Sequence, residues 1–461
     1  MIFDLSFSVE SRYRPFELIA TEAGSTARVV GDGLELAPDG PPAPFCAVEA
    51  SVDVPSGRVL LGLATHGGDH LLGYYDADAG RVGIEHRSGG RTRVLRRRKI
   101  GSPRPSRLAF VLCENQVTVL VDAGEGWWPV VTEREKVRAR VDLRDAATLE
   151  RWRYAREARG TSAAAGLADV RWGLFGMTGL RDQHLVQHSD GTPYVEDGRV
   201  WFTATCAGLG FFQQAHWAVF SMDLTRPERL QREATLFFRR DGLLLGDHAG
   251  QVVRDDEQDR WILATSSWGD FGSTRIHVRH LVTTVDLLHG VHVLDTEPTA
   301  LPTDHGSWDP ALTKIDDRWY VGFVESPSQR PFDFHPALAA APPGADWDEK
   351  LELVGAATDL HQCEGPILAQ VQGDWWFLAS DGDARSYPVF DLSVRPVGRL
   401  DAPYATNIPH PQLVPLDDGG FLVVTFDGTP YAGRVMGYGG HGDVLVLRSR
   451  TTDHRSGRTD T

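Results

Sequence analysis

The sequence predicts an all-β protein, an N-terminal β-sandwich followed by a five-bladed β-propeller. Two observations carry this. The first is a phrase that recurs five times: a polar residue, a short apolar strand, a tight Asp/Gly turn and an aromatic-aliphatic strand. Its copies run from Asp190 to Phe202, Asp247 to Leu263, Trp308 to Val321, Glu364 to Leu378 and His410 to Val424. A hairpin repeated at roughly 45–60 residues is the signature of a propeller with one blade per copy. The second is a series of short β-rich runs within residues 1–145, among them Arg58 to Thr65, Leu71 to Tyr75, Arg107 to Cys113 and Gln116 to Asp122. Gly and Asp turns separate them, as in a sandwich.

Taken in order, residues 1–145 form the sandwich. Residues 146–171 are rich in Ala, Glu, Arg and Leu and predict a linker helix. The propeller spans 172–450, and the polar tail 451–461 is expected to be disordered. In a propeller the innermost strand of each blade lines a central channel, so equivalent residues converge at one mouth. Aligning the copies on their turns puts Asp190, Asp309, Glu364 and His410 at corresponding positions, with Asp247 or His248 in the second copy. Each acid alone is weak, since Asp before Pro commonly starts a turn. A shared register is not something turn chemistry requires. Like charges held close push one carboxyl pKa up, which is how a protein keeps an acid protonated.

Composition narrows the partners. Lys and Arg total 47 against 63 for Asp and Glu, a net charge of −16, which argues against nucleic acid and anionic membranes. The run Arg96–Lys99 is read as a solvated face. No apolar run is long enough to span a bilayer, and Met1–Glu10 lacks the basic start of a signal peptide. Four scattered cysteines (Cys46, Cys113, Cys206, Cys363) fit reduced thiols, so the expected location is the cytoplasm. Phosphate loops, zinc patterns and nucleophile elbows are absent from the sequence.

These residues resemble a family. The propeller is similar to the family 43 glycoside hydrolases of the arabinanase/β-xylosidase type, related to the fructosidases. The resemblance covers roughly 280 residues. It implies Asp190 as general base, Asp309 in Trp308-Asp309-Pro310 as the residue that orients the acid, and Glu364 in Glu364-Gly365-Pro366 as general acid. The family's first Asp usually precedes Pro, whereas Asp190 precedes Gly191; Asp182 lies close by as a replacement. The fructosidase pattern fits worse, because Trp308 stands where it has Arg and Cys363 precedes the Glu instead of following it. In the first domain, a Gly-Leu strand, Gly73-Tyr-Tyr and a strand ending in Val121-Asp-Ala-Gly resemble a concanavalin/laminin-G sandwich, which implies either sugar binding or support of the propeller.

The implied reaction is hydrolysis of a glycosidic bond in an oligo- or polysaccharide, by inversion, with Glu364 delivering the proton and Asp190 activating water. His248, Trp268, Trp308 and His410 are the expected substrate-binding residues, the tryptophans as stacking platforms. No cofactor is required. Histidines near the blade heads (His184, His188, His248, His305, His361, His410) leave an axial metal ion open, with His410 and His248 the first candidates. A non-catalytic carbohydrate-binding propeller and a glycoside phosphorylase, using Arg330 or Arg385, are the competing readings. Sugar, anomer and oligomeric state are not specified by the sequence.

Overall fold

The computed structural model describes residues 2–27, 33–160, 166–271, 275–430 and 441–450. Among these described residues seven antiparallel-dominated sheets divide into a two-sheet sandwich and five blades. The six-stranded sandwich sheet has the order Trp128–Glu133, Gln116–Asp122, Arg107–Cys113, Phe45–Asp53, Gly166–Met177, Glu17–Thr26. The five-stranded sheet has the order Trp152–Arg159, Arg58–Thr65, His70–Asp76, Arg81–Ser88, Arg91–Lys99. Leu61, Leu63, Phe110, Val119 and Tyr154 fill the space between them. The central strands are apolar along their length, as Arg107–Cys113 and Gln116–Asp122 show: one face packs between the two sheets, and the other, with Ala109, Val111 and Leu120, packs with Phe175, Leu209 and Phe237.

The expected linker helix is corrected. Among the described residues of 146–171 only Ala146–Leu149 is helical, capped by the Asp145 side chain on the Thr148 N–H. The following Trp152–Arg159 is a strand paired with Arg58–Thr65. Its Trp152, Tyr154 and Ala158 point inward while charged residues alternate with them. Gly166–Met177 then returns through the larger sheet. The tail 451–461 lies outside the described residues.

Five blades follow, the number the repeat predicts. Their innermost strands are Leu180–Leu185, His248–Asp255, Gly306–Ile315, Cys363–Val371 and Gln412–Pro415. Neighbouring inner strands are tied by side-chain amides: Gln412 accepts from the Leu185 N–H at 2.9 Å, and Gln251 from the Leu312 N–H at 2.6 Å. Blade five is completed by Ser6–Tyr13, which runs antiparallel to His441–Arg450. A strand from the beginning of the chain therefore closes the ring, and residues 6–13 belong to the propeller instead of the sandwich.

In blade one a long connection, residues 186–198, separates the inner strand from its hairpin turn. It crosses the far end of the channel. Gln187 donates to the Leu312 carbonyl and to Thr313, both at 2.8 Å, and the Lys314 N–H donates to the Ser189 carbonyl at 2.6 Å. Gly191, at φ +83°, sits so close that a Cβ would stand 2.5 Å from the Trp375 ring. This loop plugs one end of the channel and leaves the other as the mouth.

Candidate active site

The inner strands of blades one to four share a local irregularity. Pairing with the next strand slips between Arg181 and His184, His248 and Gln251, Trp308 and Ala311, and Glu364 and Ile367. The residue just inside each bulge has a left-handed backbone: Asp182 (φ 50°), Ala249 (57°), Asp309 (52°) and Gly365 (63°). Bulges re-aim side chains, and non-glycine residues tolerate this region mainly when they are Asn or Asp. The four bulges turn Asp182 and Asp309, with Glu364 one residue earlier in its blade, toward the channel mouth.

There they meet His410 from blade five. Its Nε2 lies 3.5 Å from Asp309 Oδ2, 3.8 Å from Asp182 Oδ1 and 3.9 Å from Glu364 Oε1. Burial works against a charged imidazole, but the three carboxylates outweigh it and push its pKa up to about 9. Asp309 moves well above its ordinary value, through burial and the nearby Glu364 and Asp182 charges, although His410 and the Gly365 N–H (3.1 Å to Oδ2) oppose the shift. Burial acts on Asp182 too, yet His410, Arg181 and His248 together hold its carboxyl below the usual range. Buried acids with pKa values driven apart are the pattern of a catalytic set.

Glu364 is the most accessible member, its side chain 19% exposed, and its Oε2 accepts the indole N–H of Trp308 at 3.2 Å. Gly365 is fixed by sterics as well as by φ: a Cβ there would stand 2.3 Å from the His410 ring. Trp308 itself is buried, stacked on Phe332 at 5.5 Å and packed against Trp268 at 5.4 Å. Neither tryptophan offers an open stacking face. Among the described residues Phe211, 43% exposed and 4.2 Å from Phe212, is the most exposed aromatic ring at this wall. His248 is buried, with hydrogen bonds to Thr205 (3.2 Å) and the Phe212 carbonyl (3.1 Å), so it braces the wall.

The structure does not bring Asp190 to the mouth. It is an exposed turn residue in the plug, accepting from the Thr192 N–H at 2.9 Å and hydroxyl at 2.7 Å. The inserted connection of blade one displaces its turn, so alignment on turns selects an acid that lies away from the mouth. Asp182 is the residue equivalent to Asp309 once the bulges are aligned. Asp247 is held by Arg240 at 2.6 Å and by the Gly269 N–H, a buried structural pair. His184 is buried, which lowers its pKa to about 3, and His188 pairs with Asp256 in the plug. All four cysteines are buried and free.

Asp309, Glu364 and His410 each present a ligand atom, all within 4.8 Å of one another. Mixed oxygen and nitrogen donors suit a divalent ion. One oxygen of each acid is already committed, however, and a proton on His410 Nε2 supplies the positive charge the acids call for. An ion there would have to displace that proton.

No family model matches this sequence, and no curated protein does. Solved structures are similar to it. One is a GH43_1 enzyme from Xanthomonas citri, 16% identical over 58% of this chain and 88% of that chain, with a TM-score of 0.41. Another is the catalytic domain of a Coprinopsis cinerea GH62 α-L-arabinofuranosidase, 11% identical over 60% and 92%, with a TM-score of 0.39. A third is Bacillus subtilis levansucrase in complex with oligosaccharides, 8% identical over 59% and 86%, with a TM-score of 0.44. Identity is low and the overlap partial, so the chemistry of the site rests on its own geometry. No helix among the described residues is long and apolar enough to cross a membrane.

Proposed function

We propose that the propeller mouth hydrolyses a glycosidic bond in an oligo- or polysaccharide. The observation that carries this reading is the meeting of Asp182, Asp309 and Glu364, from three blades, around one buried imidazole. Glycosidic cleavage needs a proton on the leaving oxygen and a carboxylate across the sugar ring. Glu364, oriented by Trp308 and open to solvent, delivers the proton. Asp182, held ionised, activates water or faces the developing positive charge. Asp309 fixes the Gly365 backbone beside the acid, and His410 keeps three carboxylates compatible in one place. The reading calls for no metal.

Asp182 and Glu364 lie 3.8 and 3.9 Å from the same nitrogen, so these oxygens are at most about 8 Å apart. That limit admits the ~5–5.5 Å of retaining enzymes and the lower part of the ~6.5–9.5 Å of inverting ones. Inversion is the course the sequence resemblance implies, and the anomer first released, read by NMR, distinguishes the two.

The test is sugar release from a panel of α- and β-furanosides, pyranosides and oligosaccharides. Glu364→Gln and Asp182→Asn are expected to lose at least about 10²-fold in rate, while Asp190→Asn keeps wild-type activity. Equal release from wild type and Glu364→Gln would refute the assignment. Binding without release from any protein would make the mouth a carbohydrate receptor.

A further inference from the structure

One end of the sandwich opens into a cleft of about 640 Å³, walled by the turn Thr65–Asp69, by His86 and Ser88, and by residues 140–153. Its size falls within the roughly 300–1,000 Å³ of small-molecule sites. Its charge runs against that of the chain. Arg140, Arg151, Arg153, His66 and His86 line it, set against Asp69 and Glu150, in a protein of net charge −16. Among the described residues none of these three arginines pairs with a carboxylate, although acids outnumber bases; Arg153 donates only to the Glu150 and Trp152 carbonyls. Asp69 is engaged by the Gly89 N–H at 3.0 Å.

His86 is the second observation. It is 6% exposed, lines the cleft, and its side chain makes no hydrogen bond among the described residues. Neither ring nitrogen is sealed from solvent, so both are open to a ligand in the cleft. Burial, with the charges of Arg140 and His70, lowers its pKa, so it stands neutral with one donor and one acceptor. Thr65, Ser88 and Thr148 add hydroxyls to the same walls.

We infer that this cleft binds a small hydroxylated anion, a sugar acid or a sugar phosphate. Arg140 and Arg151 take its oxyanion, and His86 with the hydroxyl side chains takes its alcohol groups. Guanidinium forks match carboxylate and phosphate oxygens in pairs, which suits either source. The inference stands apart from the propeller chemistry and does not depend on it.

Calorimetric titration of the intact protein tests it, using glucuronate, glucose 6-phosphate, inorganic phosphate and neutral glucose. Glucuronate or glucose 6-phosphate is expected to bind and glucose not to. The Arg140→Gln/Arg151→Gln protein should bind about tenfold more weakly or worse, with an unchanged melting temperature because both side chains are exposed. His86→Ala should weaken the sugar anions but not phosphate. Asp182→Asn, at the propeller mouth, should bind like wild type. Glucuronate alone binding identifies a carboxylate ligand, and glucose 6-phosphate alone a phosphate ligand. Affinity that survives the double substitution overturns the inference. So does phosphate binding as tightly as either sugar anion, or no anion binding at millimolar concentration.

Discussion

His410 brings a buried imidazole among three carboxylates, and its proton ties the site to the stability of the fold. The folded pKa of about 9 lies above the ordinary 6.5. Between those values the native state keeps a proton the unfolded chain has released, so stability falls as pH rises. His410's contribution is complete below pH 6.5 and gone above about 9. Melting temperature is therefore expected to drop from pH 6.5 to 9.5 in the wild type, with a flatter profile in His410→Asn. Identical profiles would show that the imidazole is not charged by its neighbours. Asp182 acts at the other end, since its lowered pKa gives stability that is lost only in acid. Asp309, Glu364 and His410 were legible in the sequence because each directly heads its blade's hairpin. Asp182 was legible only as a neighbour of Asp190, because what marks it is a backbone bulge and not a turn.

Among the elements, strands with local partners were readable and strands with distant partners were not. Trp152–Arg159 carries helix-forming residues, but its Trp152, Tyr154 and Ala158 all reach the core with period-two spacing broken once, and tertiary pairing with Arg58–Thr65 overrides propensity. Ser6–Tyr13 reads as an ordinary strand; nothing within it announces a partner at His441–Arg450. Its Phe7 is buried with Val423 and Leu447, whereas Val9 is half exposed. Phe7→Ala is expected to cost about 3–5 kcal/mol in denaturant unfolding, with Val9→Ala nearly neutral. A small Phe7 effect would mean that the ring holds without this strand.

At the scale of the molecule the sandwich reaches into the propeller mouth. Glu114, buried in the turn between Arg107–Cys113 and Gln116–Asp122, accepts from Arg144 at 3.1 Å and from Gln214 at 2.8 Å. Gln214 in turn accepts from the Phe211 N–H at 2.8 Å, and Gln116 holds the Leu209 carbonyl. Apolar contact extends this junction, with Phe45 stacked on Phe237 at 5.5 Å. The aromatic wall beside the acids is thus shaped by a domain that contributes none of them. Removing one partner of a buried pair costs about 3–5 kcal/mol. Glu114→Ala is expected to destabilise the protein on that scale and to raise KM for a saccharide more than it lowers kcat. A loss confined to kcat would contradict this division of labour. Ring closure by Ser6–Tyr13 also has a consequence for biosynthesis. That strand leaves the ribosome long before His441–Arg450 exists, so the nascent propeller stays open, with an unpaired edge, through the translation of every other blade. The sandwich has all its strands by Met177 and is free to fold meanwhile. A stalled or truncated chain would accordingly carry a finished sandwich and an unclosed ring, the form that chaperones and proteases would meet first.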